Sequence, residues 1–229
     1  MVLYLSKNKN IIMMKLGDAE CWILMKKIGI EIPESEIARN EEQAVSLAKK
    51  LGFPLVLKIS SPDIIHKTDI GCVAMGVNTL EDVKKVYKAI IHNAKKHSPH
   101  ARIEGVVVQK MLAGKHIREV IVGAKRDEQF GPVIMFGLGG IFVEIMKDVT
   151  FRLIPIQRKD AREMIREIKG FRLLQKVRNK KPVNFTALEN VLLKVSRLME
   201  RYEKIRELDI NPLMVDDKKA VAVDIRIMI

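Results

Sequence analysis

The residues of this chain best suited to chemistry are four oxygen-bearing side chains near its C-terminus. Two strand-like runs, 208–215 and 220–226, are separated by a four-residue polar turn, which is typical of a β-hairpin. In the register that this turn sets, Asn211 lies opposite Asp224, and the Cβ atoms of such a pair are ~5 Å apart. The sequence therefore predicts that an amide and a carboxylate meet across the hairpin.

Strand alternation adds two carboxylates to the same face of the hairpin. Because side chains alternate with a period of two, Glu207 and Asp209 point to the same side as Asn211. The set contains no thiol or imidazole, and hard oxygen ligands suit Mg²⁺, which completes its octahedron with water and phosphate oxygens. An acidic surface hairpin would show the same pattern, so the residues alone leave both interpretations open.

Lys58 and the turn that follows it offer candidate groups for binding an anion. Lys58 interrupts the apolar run 55–59, and a lysine buried without a partner is costly, so it either reaches a sheet edge or meets an anion. His66, Lys67 and Thr68 offer donors suited to phosphate oxygens, although a solvated loop would have the same composition. The imidazole of His66 is also a possible nucleophile toward phosphorus.

Composition limits the classes of protein and partner. With 229 residues and 48% hydrophobic content, the chain can bury one large core or two modest ones. Its net charge of +13 suggests anionic partners, but the charges are dispersed and only three Tyr and one Trp are available for stacking, which argues against nucleic acid. Cys21 and Cys72 are expected to be free thiols in a cytoplasmic protein. No apolar segment reaches the ~20 residues of a membrane span.

Helix and strand patterns alternate along the chain and predict an α/β (α+β) protein of two lobes. Residues 1–16 are predicted to be a disordered leader, 17–104 the N-terminal lobe and 105–229 the C-terminal lobe. Helices are predicted from Asp18, after the caps Asn40 and Thr79, after Asp160, and after a capping box of Thr186 with Glu189. There is no Gly-x-Gly-x-x-Gly turn and no Walker loop, so any nucleotide must be held in another way.

Five segments of the chain together resemble one known family. They are Gly52–Ser61, His66–Asp69, Arg118–Gly123, Phe130–Glu144 and Leu208–Pro212. Their order is that of an ATP-grasp protein. More closely, the chain resembles the β subunit of ADP-forming acetyl-CoA synthetase, or acetate–CoA ligase (ADP-forming), a relative of the nucleotide-binding half of succinyl-CoA synthetase. The resemblance runs from Gly17 to the C-terminus and begins after Met13 and Met14, two candidate initiators.

The resemblance implies an ATP-grasp fold with ATP or ADP between the two lobes. It places Lys58 and the His66 turn on the nucleotide phosphates and gives Asn211 and Asp224 the role of holding Mg²⁺, in agreement with the hairpin argument. The other residues that it assigns to ATP binding are Lys67, Thr68, Gln109, Lys110, Met111, Leu112 and Glu119, of which residues 109–112 form the hinge along the adenine.

The family reaction is acyl-CoA + ADP + phosphate ⇌ acid + ATP + CoA, through an acyl phosphate and a phosphohistidine. The resemblance implies an α subunit that carries the CoA-binding domain and the first phosphohistidine, in an α2β2 assembly. His66 matches a second histidine, in the β subunit, that passes phosphate to ADP, and the simpler alternative is that His66 only donates a hydrogen bond to bound ATP. The loop 137–140 and Glu144 are expected to contact the α-subunit histidine segment.

Departures from the family pattern leave specificity open. His66, Lys67 and Thr68 stand where related turns have Gly-Arg-Gly, and Gln109 replaces the acidic residue often found beside adenine. The acyl substrate is not encoded in these residues. Two alternatives compete with the synthetase interpretation. One is another ATP-grasp ligase that joins a carboxylate to an amine, which the short length disfavours, and the other is a non-enzymatic polyanion-binding module, which gives no reason for Asn211 to face Asp224.

Overall fold

A computed structural model of the chain describes residues 4–5, 12–140, 148–176 and 181–229. The chain divides into two compact units. Unit 1 comprises residues 1–20 and 33–112, and unit 2 comprises residues 21–32 and 113–229. In the described part of the chain, no helix is long and apolar enough to cross a membrane.

Unit 1 is built on a four-stranded antiparallel sheet in the order β3-β6-β4-β5. Its strands and helices are β1 (Tyr4–Leu5), β2 (Ile12–Met13), the start of α1 (Asp18–Lys27), β3 (Ser35–Ala38), α2 (Glu41–Leu51), β4 (Leu55–Ser60), β5 (Val73–Val77), α3 (Leu80–His97) and β6 (Gly105–Lys110). Asn40 and Thr79 cap α2 and α3 through side-chain oxygens that accept the N–H groups of Gln43 and Asp82, as predicted. These caps orient the apolar faces of the two helices onto the sheet.

Unit 2 contains a larger antiparallel sheet in the order β11-β10-β7-β8-β9, in which β12 also pairs with β10. Its elements are β7 (Arg118–Asp127), β8 (Gly131–Leu138), β9 (Val149–Leu153), α4 (Arg158–Glu167), α5 (Phe171–Leu174), α6 (Phe185–Arg201), β10 (Glu207–Val215), β11 (Ala220–Ala222) and β12 (Ile225–Met228). The apolar stripe of α6 is buried and includes Leu188, Leu192 and Val195. The mixed helix and antiparallel sheet content confirms the predicted fold class.

Two predicted boundaries need correction. The lobe boundary moves from residue 104 to Leu112, because β6 pairs with β3 and β4 in the sheet of unit 1. Strand character alone does not reveal which sheet a strand joins. Within the segment predicted to be a disordered leader, β1 pairs with β2, and the ammonium of Lys15 donates to the carbonyls of Ser61 and Ile64.

Two predicted helix starts in unit 2 are also displaced. Helix α6 begins at Phe185, and Asn184, not Thr186, accepts the capping hydrogen bond from the N–H of Ala187. Helix α4 begins before Asp160, whose carboxylate reaches back to the N–H of Gln157 at 2.7 Å. The N-cap of α6 therefore lies two positions before Thr186, and the N-cap of α4 lies three positions before Asp160.

Candidate functional site

The C-terminal hairpin has the register that the sequence predicts. Ile210 pairs with Ile225 and Val215 pairs with Ala220. Between these pairs, the N–H of Asn211 donates to the carbonyl of Asp224 at 3.0 Å, so the two residues lie opposite each other. The prediction that an amide and a carboxylate residue meet across the strands is confirmed.

Glu207, Asp209, Asn211 and Asp224 form what we call the hairpin face. Along β10, Leu208 and Ile210 are buried, which leaves the alternate positions on the side away from the core. Burial raises the pKa of Asp209, and the neighbouring Glu207 and Asp224 raise it further, against the opposing effect of Arg226. The hairpin face therefore has an excess of negative charge, although Arg226 pairs with Glu207.

The donors of the hairpin face suit a hard cation that is only partly held by protein. Among the described residues, no three His, Cys, Asp or Glu side chains are arranged around a common metal position. Asn211 and Asp224 supply one amide and one carboxylate oxygen donor group. This is the kind of sparse oxygen set with which Mg²⁺ retains waters and phosphate oxygens in its shell.

A cleft of about 500 Å³ lies beside the hairpin face, within unit 2. Asp209 and Arg226 line its polar side, and Met135 and Phe151 line its apolar side. No sequence pattern predicted this cleft. Its one signal is the run of apolar residues at alternate positions of β9, where Phe151 and Leu153 are more than half exposed, at 55% and 57%.

Glu119 lies against the glycine loop of unit 2. The N–H of Gly139 donates to the carbonyl of Glu119 at 2.8 Å. A Cβ on Gly139 would come within 2.9 Å of the Cβ of Glu119, so only glycine permits this approach. Glu119, Gly139 and Gly140 line one cavity of about 250 Å³. Glu144, the other residue expected near this loop, lies outside the described residues.

In unit 1, Lys58 lies in the middle of the sheet. It pairs with Val73 on β5 and with Val107 on β6, and it is 5% exposed. A central strand position and this burial are inconsistent with a lysine that extends to a sheet edge. The role of Lys58 as an anion ligand stays a prediction.

The side chains of the turn after β4 differ sharply in exposure. His66 is 79% exposed, and its Nδ1 lies 3.8 Å from Oδ2 of Asp69. Thr68 is also exposed. Asp63, the other carboxylate expected to orient the imidazole, accepts a hydrogen bond from the N–H of Arg102 at 2.7 Å. The structure thus favours Asp69 as the partner of His66.

Lys67 is buried beneath this turn and has an internal partner. Its Nζ lies 3.2 and 3.4 Å from the two carboxylate oxygens of Asp18, and the hydroxyl of Ser60 donates to the same carboxylate at 2.7 Å. We call Asp18, Ser60 and Lys67 the Asp18 cluster. It changes the role expected for Lys67, whose ammonium faces a carboxylate. The sequence analysis identified Asp18 only as a helix start, and no local signal links it to Lys67.

Residues 109–112, the predicted hinge, end unit 1. Gln109 is buried at 2% exposure, and the ammonium of Lys110 donates to the carbonyl of Phe53 at 2.9 Å. The N–H of Met111 donates to the carbonyl of Pro54, and Leu112 is the last residue of the unit. The hinge segment is therefore fixed through its backbone and through Lys110.

Comparisons with known proteins agree with this geometry. The family model described as the ATP-grasp domain matches residues 13–229. The acetate–CoA ligase [ADP-forming] I subunit beta of Pyrococcus furiosus is 46% identical over 214 residues, which are 93% of this chain and 91% of that protein. The chain belongs to the family of ADP-forming acetate–CoA ligase β subunits. Since members of this family are named as subunits, a partner subunit is implied.

Two further relatives differ in how much of their own length this chain spans. Acetate–CoA ligase [ADP-forming] I of Archaeoglobus fulgidus is 44% identical over 211 residues, which are 92% of this chain but 30% of that protein. The dinucleotide forming acetyl-coenzyme A synthetase 1 of Ca. Korarchaeum cryptofilum, in complex with coenzyme A, Ca-AMPCP and HgCl+, superposes with a TM-score of 0.90 at 40% identity. That match covers 94% of this chain and 93% of the solved one.

Another structure of the same Korarchaeum enzyme contains coenzyme A and Mg-AMPPCP, with a phosphohistidine segment pointing towards the nucleotide binding site. It superposes with a TM-score of 0.80 at 36% identity, over 94% of this chain and 93% of the solved one. These complexes show that the family fold accommodates a nucleotide with a divalent cation.

Proposed function

We propose that this chain is the nucleotide-binding β subunit of an ADP-forming acyl-CoA synthetase and acts with a separate partner subunit. The reaction is acetyl-CoA + ADP + phosphate ⇌ acetate + ATP + CoA, and this chain carries out the final phosphoryl transfer to ADP. The observation that carries the proposal is the hairpin register, which sets Asn211 opposite Asp224 in a chain 46% identical to a named β subunit.

Asn211 and Asp224 are proposed to hold Mg²⁺. The fit rests on the donor types of the hairpin face, which has oxygen ligands and a negative excess that a divalent cation would offset. When bound, Mg²⁺ would supply positive charge that offsets the negative charge of the nucleotide phosphates during transfer. Asp224 supplies the formal charge and Asn211 a neutral oxygen, so Asp224 should contribute more of the affinity.

Lys58 and Thr68 are proposed to contact the nucleotide phosphates. Lys58 brings a positive charge into a largely apolar sheet, where an electrostatic contact is stronger than in water. Thr68 is exposed in the turn and offers a hydroxyl donor. Lys67 is assigned a different task, because its ammonium pairs with Asp18.

The hinge, Gln109 to Leu112, is proposed to run along the adenine. The amide of Gln109 has both a donor and an acceptor, so it suits a base edge in either orientation. Lys110 donates its ammonium to Phe53 and would contribute through its backbone. Glu119 and the glycine loop share one cavity, and we assign both to the step in which the phosphoryl group arrives at the nucleotide.

His66 is proposed to carry the phosphoryl group covalently. Oδ2 of Asp69 lies 3.8 Å from Nδ1 of His66, on the side of the ring away from Nε2. In the proposed step, the lone pair of Nε2 attacks phosphorus while Nδ1 keeps its proton. In the first transfer, an N–P bond on the partner's phosphohistidine breaks as the Nε2–P bond forms. In the second, that bond breaks as a β-phosphate oxygen of ADP attacks, which gives ATP and neutral imidazole.

The test uses the complete enzyme, copurified with its partner subunit. Acetyl phosphate or ATP is added, and acid-sensitive phosphate is mapped by mass spectrometry. Label on His66, lost in His66→Ala together with ADP phosphorylation but with acetyl phosphate formation from acetyl-CoA retained, supports the relay. Full ATP synthesis by the His66→Ala enzyme would reduce His66 to a binding residue.

The assembly is proposed to be α2β2, with the CoA-binding domain and the first phosphohistidine on the partner. Light scattering of the copurified enzyme measures the stoichiometry directly. Phosphate exchange between ATP and ADP should require the complex and be absent from the isolated chain. Exchange by the isolated chain at the rate of the complex would contradict the division of labour.

A further inference from the structure

The Asp18 cluster holds the base of the turn that presents His66. Asp18 and Lys67 are each 7% exposed, and all three polar groups of the cluster are joined by contacts of 2.7–3.4 Å. Lys67 is the immediate neighbour of His66 in the chain. The contacts of the Lys67 side chain therefore fix a position in the turn directly beside the residue that carries the imidazole.

The backbone of Lys67 is fixed as firmly as its side chain. Its N–H donates to the carbonyl of Ile65 at 3.0 Å, and its carbonyl accepts the N–H of Cys72 at 2.8 Å. The N–H of Gly71 donates to the carbonyl of Thr68 at 3.0 Å, which closes the turn. Lys67 thus has three separate attachments, whereas the side chain of His66 projects into solvent.

The start of the turn is anchored by Lys15. The ammonium of Lys15 donates to the carbonyls of Ser61 and Ile64, each at 3.1 Å. The carboxylate of Asp63 accepts from the backbone of Arg102. These contacts use charged groups to hold backbone positions, an arrangement that fixes geometry in a segment without helix or strand.

Stability alone does not explain a buried ion pair. Replacing such a pair with apolar residues of similar volume is often neutral or stabilising, whereas removing one partner costs ~3–5 kcal/mol. The contribution of the Asp18–Lys67 pair is then to geometry. An ammonium held by two carboxylate oxygens leaves the aliphatic part of the Lys67 side chain few conformations. The ion pair with Asp18 also offsets the charge of Lys67, so the affinity for phosphate is expected to depend on other groups.

We propose that Asp18 and Lys67 are positioning residues for phosphoryl transfer, acting through the turn that presents His66. This inference rests on the proposed function of His66. In this proposal, the cluster acts without contacting the nucleotide or the transferred group. It sets the position of the imidazole nitrogen that receives phosphorus, and a displacement of ~1 Å at such a group can lower a rate by ~100-fold.

The test is the double variant Asp18→Asn with Lys67→Met in the complete enzyme. It removes both charges, so no buried charge is left alone. We expect the rate of His66 phosphorylation and kcat for ATP formation to fall by about tenfold or more, with the Kd for ADP within about twofold of wild type. Full kcat in a variant with an unchanged Tm would overturn the proposal.

A mutant cycle with His66→Ala separates positioning from folding. If the cluster acts through His66, adding the double substitution to His66→Ala lowers the residual ATP formation by less than about twofold. A further loss as large as that in the wild-type background would overturn the proposal. If His66→Ala retains full ATP formation, the relay through His66 is wrong. If His66→Ala loses ATP formation while the double variant keeps it, only the positioning role of Asp18 and Lys67 is rejected.

Two companion variants keep the test informative if the double variant does not fold. Ser60→Ala removes the hydroxyl donor to Asp18 and keeps the ion pair, and a smaller fall in kcat with unchanged ADP affinity is expected. Glu189→Gln is the matched control, since Glu189 is also 7% exposed and pairs with Arg158 and Arg162 in unit 2. It should lower Tm without slowing His66 phosphorylation. Full kcat in Ser60→Ala together with slowed phosphorylation in Glu189→Gln would overturn the inference.

Discussion

The Asp18 cluster in unit 1 and the hairpin face in unit 2 use charge in opposite ways. In the Asp18 cluster, the carboxylate of Asp18 meets the ammonium of Lys67 and the hydroxyl of Ser60, so the two buried charges offset each other. In the hairpin face, Glu207 and Asp209 line an open cleft together with Arg226 and Lys125, and Asp224 raises the pKa of Asp209. A buried ion pair holds positions, whereas carboxylates beside open space are suited to attract a cation.

The pKa of Asp209 reflects the surroundings of the hairpin face. In the hairpin face, burial and two neighbouring carboxylates raise the pKa of Asp209, so ionisation there is opposed by its surroundings. A bound divalent cation would reverse that opposition, and part of its binding free energy would come from relieving it. The hairpin face is therefore arranged at some cost to the unliganded fold, as is common at functional sites.

The largest expected effect is at Asp224. Asp224→Asn removes one charge from a site with few ligands, so the affinity for Mg·ADP should fall by at least about 100-fold, or ~2.7 kcal/mol. The circular dichroism spectrum should stay that of the folded protein, because the backbone pairing with Asn211 is retained. Isothermal titration calorimetry with Mg·ADP measures the change.

Asp217→Asn is the matched control for this substitution. Asp217 belongs to the turn of the same hairpin and pairs with Lys181 at 2.9 Å on the surface. It makes the same charge change without touching the hairpin face, so Mg·ADP affinity should stay within about twofold of wild type. Equal losses in the two variants would mean that net charge, and not ligation by Asp224, determines the affinity.

The next largest effect should distinguish two buried lysines of unit 1. Lys58→Met keeps the aliphatic stem and removes the charge, so ADP and ATP affinity should fall by about tenfold or more, ~1.4 kcal/mol. Lys67→Met leaves the carboxylate of Asp18 buried without its cation, so it should lower Tm strongly and change ADP affinity little. Calorimetry for affinity and thermal melts for Tm give both values for each variant.

The opposite pattern of affinities would contradict the different roles proposed for Lys58 and Lys67. If Lys67→Met lost nucleotide affinity and Lys58→Met did not, Lys67 would be the phosphate ligand that the family resemblance first suggested. Lys50→Met serves as the exposed control, since Lys50 pairs with Glu36 at the surface and should change neither quantity measurably.

The sequence was sufficient to predict the hairpin because its information is local. A four-residue turn and period-two alternation fix the register, and the structure keeps that register from Glu207 to Val215. The caps at Asn40 and Thr79 were predictable for the same reason. At α6, however, two overlapping cap patterns compete, and Glu189 pairs with Arg158 and Arg162 in place of closing a capping box with Thr186.

The features that the sequence did not reveal depend on contacts between distant positions. Lys67 and Asp18 are 49 residues apart, and neither carries a local signal of the other. The membership of β6 in unit 1 depends on pairing with β3 and β4, which its valine-rich sequence does not specify. The family motif therefore predicted a turn around His66, but not the contact between Lys67 and Asp18, and its assignment of Lys67 to phosphate binding stays a prediction.

The smallest expected effect concerns the pH dependence of stability at Asp209. Its raised pKa means that the folded protein keeps the Asp209 proton to a higher pH than the unfolded chain does. Protonated Asp209 thus favours folding, and this contribution is lost as pH rises through the folded pKa. Asp209→Asn should raise Tm at neutral pH by a few degrees, and the gap from wild type should close as pH falls below the ordinary aspartate range.

Asp127, which lines the same cleft, should show the opposite sign. The N–H groups of Phe130 and Gln129 lower the pKa of Asp127, so its contribution is present at neutral pH and is lost as pH falls through the folded pKa. Asp127→Asn should therefore lower Tm at neutral pH and approach wild type in acid.

Saturating Mg·ADP should reduce the difference in Tm between Asp209→Asn and wild type. The reason is that a cation on the hairpin face would offset the unfavourable charge of ionised Asp209. A gap that is independent of both pH and Mg·ADP would show that Asp209 does not share the electrostatics of the proposed metal site.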